Sequence, residues 1–322
     1  MTLTLACACI AAGRDRIGAV EYFGTQGLDM AKIRSETPVH VGDPFSETLQ
    51  ATVRGALATT DVAGVCCDEN GDGLIFIGLS GTSTKPFTFN PNPNGQFHAP
   101  PEITKLSARL DKAMVAAVQK GGTAAQEDDS KGYALINDPA ARSIQLEIRE
   151  WVLQHEAQVK LVLEQSSFAS DRRIASEALG YARQSPEQIA ALVHASRDAD
   201  GGVRNNATRA LGVLVRSNAS LAAAIEPETF IEMLGSGIWT DRNKAAGLLV
   251  EMTSQRPAAL LATLRTKSLP QLIEMAAWRK LGHAYYARII LGRIVGIPEP
   301  ELQKLAAEQP EAILEAASKL AN

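Results

Sequence analysis

The sequence predicts an α+β N-terminal domain, a three-stranded sheet with two helices, followed by an all-α domain of repeated helices. Three observations carry this. Short apolar runs bounded by Gly, Asn and Asp are confined to the first 80 residues, and a Pro-rich stretch then interrupts the chain at 81–101. From residue 102 onward apolar residues recur at helical spacing, and one Arg/Ala pattern returns after 32 and again after 38 residues. The 322 residues, 45% hydrophobic and 21% charged, leave room for two folded units.

Residues 1–13 open with the run Met1 to Ala12, MTLTLACACIAA, which is too short to span a bilayer. It reads as the core and cleavage region of a truncated signal peptide without its positive n-region, which predicts an exported, periplasmic or extracellular protein. The alternative is an apolar strand or tail of a cytoplasmic protein. Cys7 and Cys9 fall in this run and Cys66 and Cys67 form the second pair; neither spacing supplies a disulfide framework or a zinc site, so all four are expected as unligated packing residues.

Residues 17–80 form the α/β domain. Ile17 to Phe23 alternates as a strand and stops at Gly24. Asp29 is placed to cap a helix running to Glu36, and Ser46 opens a second helix to about Ala58. Val62 to Cys67 and Leu74 to Leu79 make the closing strands, joined through Asp68-Glu-Asn-Gly-Asp-Gly73. That turn copies half of an EF-hand loop, but Leu79 stands where the bidentate Glu belongs, so a hairpin is expected rather than a calcium site. Gly78-Leu79-Ser80-Gly81 falls one residue short of a nucleophile elbow and reads as the end of a strand. The strand-helix-helix-strand-strand order and the Val41-Gly42-Asp43-Pro44-Phe45-Ser46 entry to the second helix resemble a polypeptide-transport-associated (POTRA) domain. The resemblance implies a docking module that presents a sheet edge to an extended partner segment.

The linker at 81–101 holds five of the fifteen prolines and three of the eight Phe: Phe87, Phe89 and Phe97. At least one of these rings is expected to pack on a neighbouring domain, the alternative being an aromatic docking strip.

The helical domain spans 102–322, with long helices at 102–120 and 139–165, a Gly/Ala/Asp-rich segment at 121–132 and no strand. Arg172-x-x-Ala175-x-x-Ala178-Leu179-Gly180 recurs as Arg204-x-x-Ala207-x-x-Ala210-Leu211-Gly212, and more loosely as Arg242-x-x-Ala245-x-x-Leu248-Leu249. These residues, clearest over 170–255, resemble HEAT repeats, which implies an α-solenoid in which register-equivalent arginines pair with acidic groups of the next repeat. A fourth unit at Leu269 to Val295 is degenerate, with Ala284 in place of the arginine. Trp151, Trp239 and Trp278 are expected in the core, or alternatively as contacts on the concave face.

The functional classes narrow by exclusion. Residues 1–100 carry 6 Lys+Arg against 10 Asp+Glu and the remainder carries 26 of each, so nucleic acid is excluded as a partner. No metal-ligand spacing, Walker loop or dinucleotide fingerprint occurs, and no cofactor is expected. The expectation is a non-enzymatic scaffold that binds a protein or extended peptide through the solenoid surface, at Arg172, Arg204, Arg242, Trp239, His283 and Tyr285. The alternative is an enzyme or lyase-like accessory protein holding a small ligand in the solenoid groove, with His283, Tyr285 or Tyr286 joined to a carboxylate.

Overall fold

Asp29 caps the first helix by accepting hydrogen bonds from the amides of Ala31 and Lys32, both at 3.1 Å, so β1 (Ile17–Phe23) is followed by α1 (Met30–Glu36). The structure, a computed structural model, describes residues 16–321 apart from 47, 66, 67, 69, 122 and 125. The apolar N-terminal run and all four cysteines lie outside the described residues. α2 (Leu49–Ala56) begins three residues later than Ser46, behind Thr48. β2 (Thr59–Val65) and β3 (Gly73–Leu79) complete a mixed sheet of order β1-β3-β2, with β1 parallel and β2 antiparallel to β3. Between them Asp68 Oδ1 accepts the Asn70 and Asp72 amides, at 2.8 and 2.9 Å, and Gly71 takes φ +85°; the segment is a hairpin turn.

All seven residues of β3 are buried, the pattern of a strand covered on both faces. Ile75, Ile77 and Leu79 pack with Ile17, Leu49 and Val53 beneath α1 and α2. On the opposite face Phe76 meets Trp239, Trp278 and His283, with ring centroids 4.8, 4.9 and 5.4 Å away. Beside it, a side chain on Gly78 would stand 2.6 Å from the Phe23 ring, so only hydrogen fits.

The helical part runs α3 (Pro101–Lys120), α4 (Pro139–Gln165), α5 (Ala169–Leu179), α6 (Pro186–Ala195), α7 (Gly201–Ser217), a short 3-10 helix (Ala219–Ala224), α8 (Glu228–Met233), α9 (Trp239–Met252), α10 (Ala258–Ala276), α11 (Leu281–Ile294), α12 (Glu299–Glu308) and α13 (Pro310–Ala321). The expectation of no strand beyond residue 102 is corrected by a small hairpin between α3 and α4, β4 (Glu127–Asp128) with β5 (Leu135–Ile136). Two residues per strand carry too little periodicity to register in the sequence. Among the described residues no helix is long and apolar enough to cross a membrane.

The chain forms two compact units. One joins everything up to Phe87 with the chain from Phe230 onward, and the other is Thr88–Thr229. The break at 87/88 falls within the expected linker, but the sheet shares its unit with the C-terminal helices instead of standing alone. Strand carboxylates complete helix ends there. Ile238 precedes α9 and offers no side-chain cap, and Asp61 of β2 accepts the Trp239 amide at 3.0 Å. Glu21 of β1 accepts the Arg279 amide at 2.8 Å, just ahead of α11. Burial pushes both carboxyls above their usual range.

Because Phe76 is fully buried against three rings, Phe76→Ala is expected to cost about 3–5 kcal/mol. Urea denaturation measures this, and a loss below about 1 kcal/mol contradicts the packing described.

Candidate functional site

The repeated arginines are internal. Arg172, Arg204 and Arg242 are 1%, 1% and 0% exposed, and each donates to a carbonyl six residues upstream, in the loop that precedes its helix. Arg172 reaches Ser166 O at 2.9 Å, Arg204 reaches Asp198 O at 2.8 Å, and Arg242 reaches Ser236 O at 2.6 Å. The motif therefore staples the interhelical loop to its own helix. Arg172 also forms a bidentate pair with Asp198, 26 residues on, and Arg242 bonds Glu274, 32 residues on. The guanidinium of Arg204 lies 4.5 Å from the centroid of the Phe89 ring, and that of Arg242 lies 4.9 Å from the centroid of Phe23. These side chains have no surface to offer a partner, which corrects their candidacy as contact residues.

In the fourth unit, where the sequence shows Ala284, Arg288 does the work from one turn further along α11. It is buried and donates to the carbonyls of Ala276, Trp278 and Ala306, at 2.9, 2.9 and 3.0 Å. The displacement hid it from a fixed-spacing motif.

Glu274 gathers donors from three separate segments of this unit. It accepts from the amides of Gly24 and Thr25 and from the hydroxyls of Thr25 and Ser83, at 2.6–3.0 Å, besides Arg242 at 3.2 Å. Burial alone would raise its pKa, but the hydroxyl and amide donors and the Arg242 charge outweigh it and hold the carboxyl below its usual range. Burial lowers Arg242 to about 10, which leaves it charged at neutral pH.

Trp239 is buried, so it too is removed from the surface candidates. His283 stands edge-on to Phe76 and Trp239, and the Asn243 amide group lies 3.1 Å from its Nδ1. Burial pushes its pKa down to about 4, so the ring is neutral at physiological pH. Half-buried Tyr285, two residues on, points roughly 200° around the helix, and the two side chains do not converge. Among the described residues no group of three or more His, Cys, Asp or Glu is placed to hold a metal.

Two concave features lie among the described residues of the unit Thr88–Thr229. A small cavity of about 40 Å³ is lined by Glu177, Tyr181, Asn206 and Arg209 with Ala134 and Val213. Burial raises the Glu177 carboxyl to about 7 against an opposing hydrogen bond from Ser107, at 2.9 Å. The larger feature is an open cleft of about 660 Å³ lined by His98, Ala99, Pro100, Pro101, Glu102, Trp151, His155 and Gln158.

The cleft arises from two local departures from regular structure. α4 is kinked at His155 (φ −127°, ψ 20°), whose Nδ1 donates to the Trp151 carbonyl at 2.7 Å and whose ring stacks on Trp151 with centroids 4.2 Å apart. The facing wall is the C-terminal end of the expected linker. Gly95 pins it by pairing with Gln165 O and the Ser167 amide, at 3.0 and 2.8 Å, and the Pro100-Pro101 step feeds it into α3. His98 stacks on Phe168 and bonds Asp171 at 2.9 Å. Phe97, next to His98 in the chain, and Phe168, stacked on it, are 40% and 37% exposed. Trp151 is thus half-buried in a cleft wall rather than in the core. The residues missed by sequence reasoning are His98 and His155, separated by 57 positions with no spacing signal to join them.

No model of a known protein family matches the chain, and none of the curated proteins compared with it matches.

Glu274→Ala, which leaves Arg242 buried without its carboxylate, is expected to cost about 3–5 kcal/mol. The wild-type contribution is complete above the unfolded pKa near 4.5 and is lost as pH falls further, because the folded carboxyl titrates lower. Urea midpoints of both proteins between pH 3 and pH 7 measure this. Glu177 has the opposite sign. Its folded pKa of about 7 exceeds the unfolded 4.5, so its penalty grows as pH rises between those values. Glu177→Gln should therefore raise the thermal midpoint at pH 8 and do so less at pH 5; equal shifts at both contradict the assignment.

Proposed function

We propose that the chain is a non-enzymatic protein-interaction protein, a HEAT-like solenoid with a POTRA-like α/β module, that docks an extended segment of a partner protein in the cleft between His98–Glu102 and the kink of α4. The open cleft carries this reading. Its Trp151 and His155 rings and the Pro100-Pro101 step form preformed, facing apolar walls around a volume of the size that peptide and small-ligand sites occupy. Rings of this kind dominate binding energy when a partner excludes water from them. Glu102 is the one carboxylate in its lining and favours a basic residue beside the apolar anchor. The solenoid reading rests on the recurring Arg/Ala pattern and on the loop-stapling geometry shared by Arg172, Arg204 and Arg242. The exported compartment rests on the apolar composition of residues 1–12, with the cytoplasm as the alternative.

Panning a displayed library of random peptides against the full chain tests the docking site. Enriched peptides should carry an aromatic or aliphatic residue next to Lys or Arg. They should also lose at least about tenfold in affinity, about 1.4 kcal/mol, when His98→Ala and Gln158→Ala are combined. Peptides indifferent to these changes, or no enrichment, would remove the cleft as the docking site.

A further inference from the structure

Three consecutive carboxylates, Glu127, Asp128 and Asp129, are each held by a different arginine of the helices beneath them. Glu127 pairs with Arg209 and Asp129 with Arg216, both on α7, and Asp128 pairs with Arg142 of α4 at 3.3 Å. Arg209 and Arg216 are seven residues apart, so they share a face of α7 two turns, about 10 Å, apart. Arg142 and Arg149 repeat that spacing on α4, and the Arg149 guanidinium stands 3.9 Å from the centroid of the Tyr133 ring while donating to Tyr181 O at 2.7 Å.

The acidic arm and its root are attached differently. Ala134, Leu135 and Ile136 are buried in the core, and Ile136 is tied to Gln145 at 2.8 Å, so the root is fixed. Gly132, at φ +79°, marks the turn between root and arm. The arm itself is held by a two-residue strand, by single backbone bonds from Asn137 to Gln126 O and from Gly132 to Asp129 O, and by ion pairs whose side chains are 19–41% exposed. Solvent reaches these pairs, and pairs open to solvent contribute little individually and are screened by salt.

We infer that Arg142, Arg209 and Arg216 form a binding surface for an acidic, extended segment of a partner protein, and that the chain's own arm 127–129 occupies it as a competing internal ligand. The arm displays what the surface accepts: successive carboxylates, one to each guanidinium, in an extended chain. With the arm down the surface is filled, so a partner's apparent affinity is its intrinsic affinity reduced by the fraction of molecules with the arm lifted. This surface shares no lining residue with the aromatic cleft, and the inference does not rest on the cleft.

The test uses the full chain and a fluorescein-labelled hexaglutamate peptide. Neutralising the arm with Glu127→Gln, Asp128→Asn and Asp129→Asn together should tighten peptide binding at least about tenfold, or about 1.4 kcal/mol. Adding Arg209→Gln and Arg216→Gln should abolish the gain. Equal affinity for wild type and arm variant, a gain that survives loss of the arginines, or equal binding of a six-nucleotide oligodeoxythymidylate would each overturn the inference. Hydrogen exchange on the wild-type chain avoids dependence on the variants' folding. Saturating peptide should speed exchange of the amides at 127–130 and leave Leu135 and Ile136 unchanged, and unaltered exchange at 127–130 would overturn the proposal.

Discussion

A guanidinium brings five N–H donors into the protein, and burying it without partners for them costs more than its attached carbon chain returns. The helical region is organised around meeting that demand. Arg172, Arg204 and Arg242 each reach back six residues to a loop carbonyl, so the loop's path and the helix's position are fixed by one side chain. Arg172 and Arg242 also bond a carboxylate 26 and 32 residues downstream, which ties each helix to a later segment of the chain. Ala at the third position after each arginine, and at the sixth after Arg172 and Arg204, lets neighbouring helices come close enough for those reaches.

The same demand draws in segments that are neither helix nor strand. Ser83 O accepts from Arg242 and from Gln271, the latter at 2.9 Å, and Lys85 N bonds Gly235 O at 2.7 Å. In the other unit the Asn90 amide bonds Arg197 O, and Arg197 returns a bond to Thr88 O. A Pro- and Asn-rich segment has few ladder bonds to make, so its backbone groups are open to such single contacts. The expected linker is thereby bound to the loops, and one stretch of it becomes the wall of the aromatic cleft.

One face of β3 and part of the β1 edge are similarly committed. A free edge or face is what a docking module would offer a partner, but the other face of β3 is taken by Trp239, Trp278 and His283. On β1, Ile17 exchanges bonds with Asp43 O and the Gly42 amide, and Trp278 donates to Tyr22 O at 3.1 Å. In the unit Thr88–Thr229 the aromatic rings of the cleft and the ion pairs of the acidic arm remain partly exposed.

Local chemistry was legible in the sequence: the alternation of β1, the apolar run of β3, the Asp29 cap, the Gly-rich hairpin, the helices expected at 102–120 and 139–165, and the Arg/Ala period all follow from forces acting over a few residues. Which side of a helix faces inward at a given arginine was not, because a repeated Arg reads equally as a surface stripe or as a buried staple until its carbonyl partners are placed. Arg288, shifted by one turn from the motif, shows the same limit: it reaches the carbonyls of Ala276 and Trp278 ahead of its helix from a sequence position that the motif does not mark. The aromatic cleft and the arginine-held arm were decided by tertiary structure alone. Their residues lie tens of positions apart, and it is long-range packing, not local propensity, that brings such groups within bonding distance.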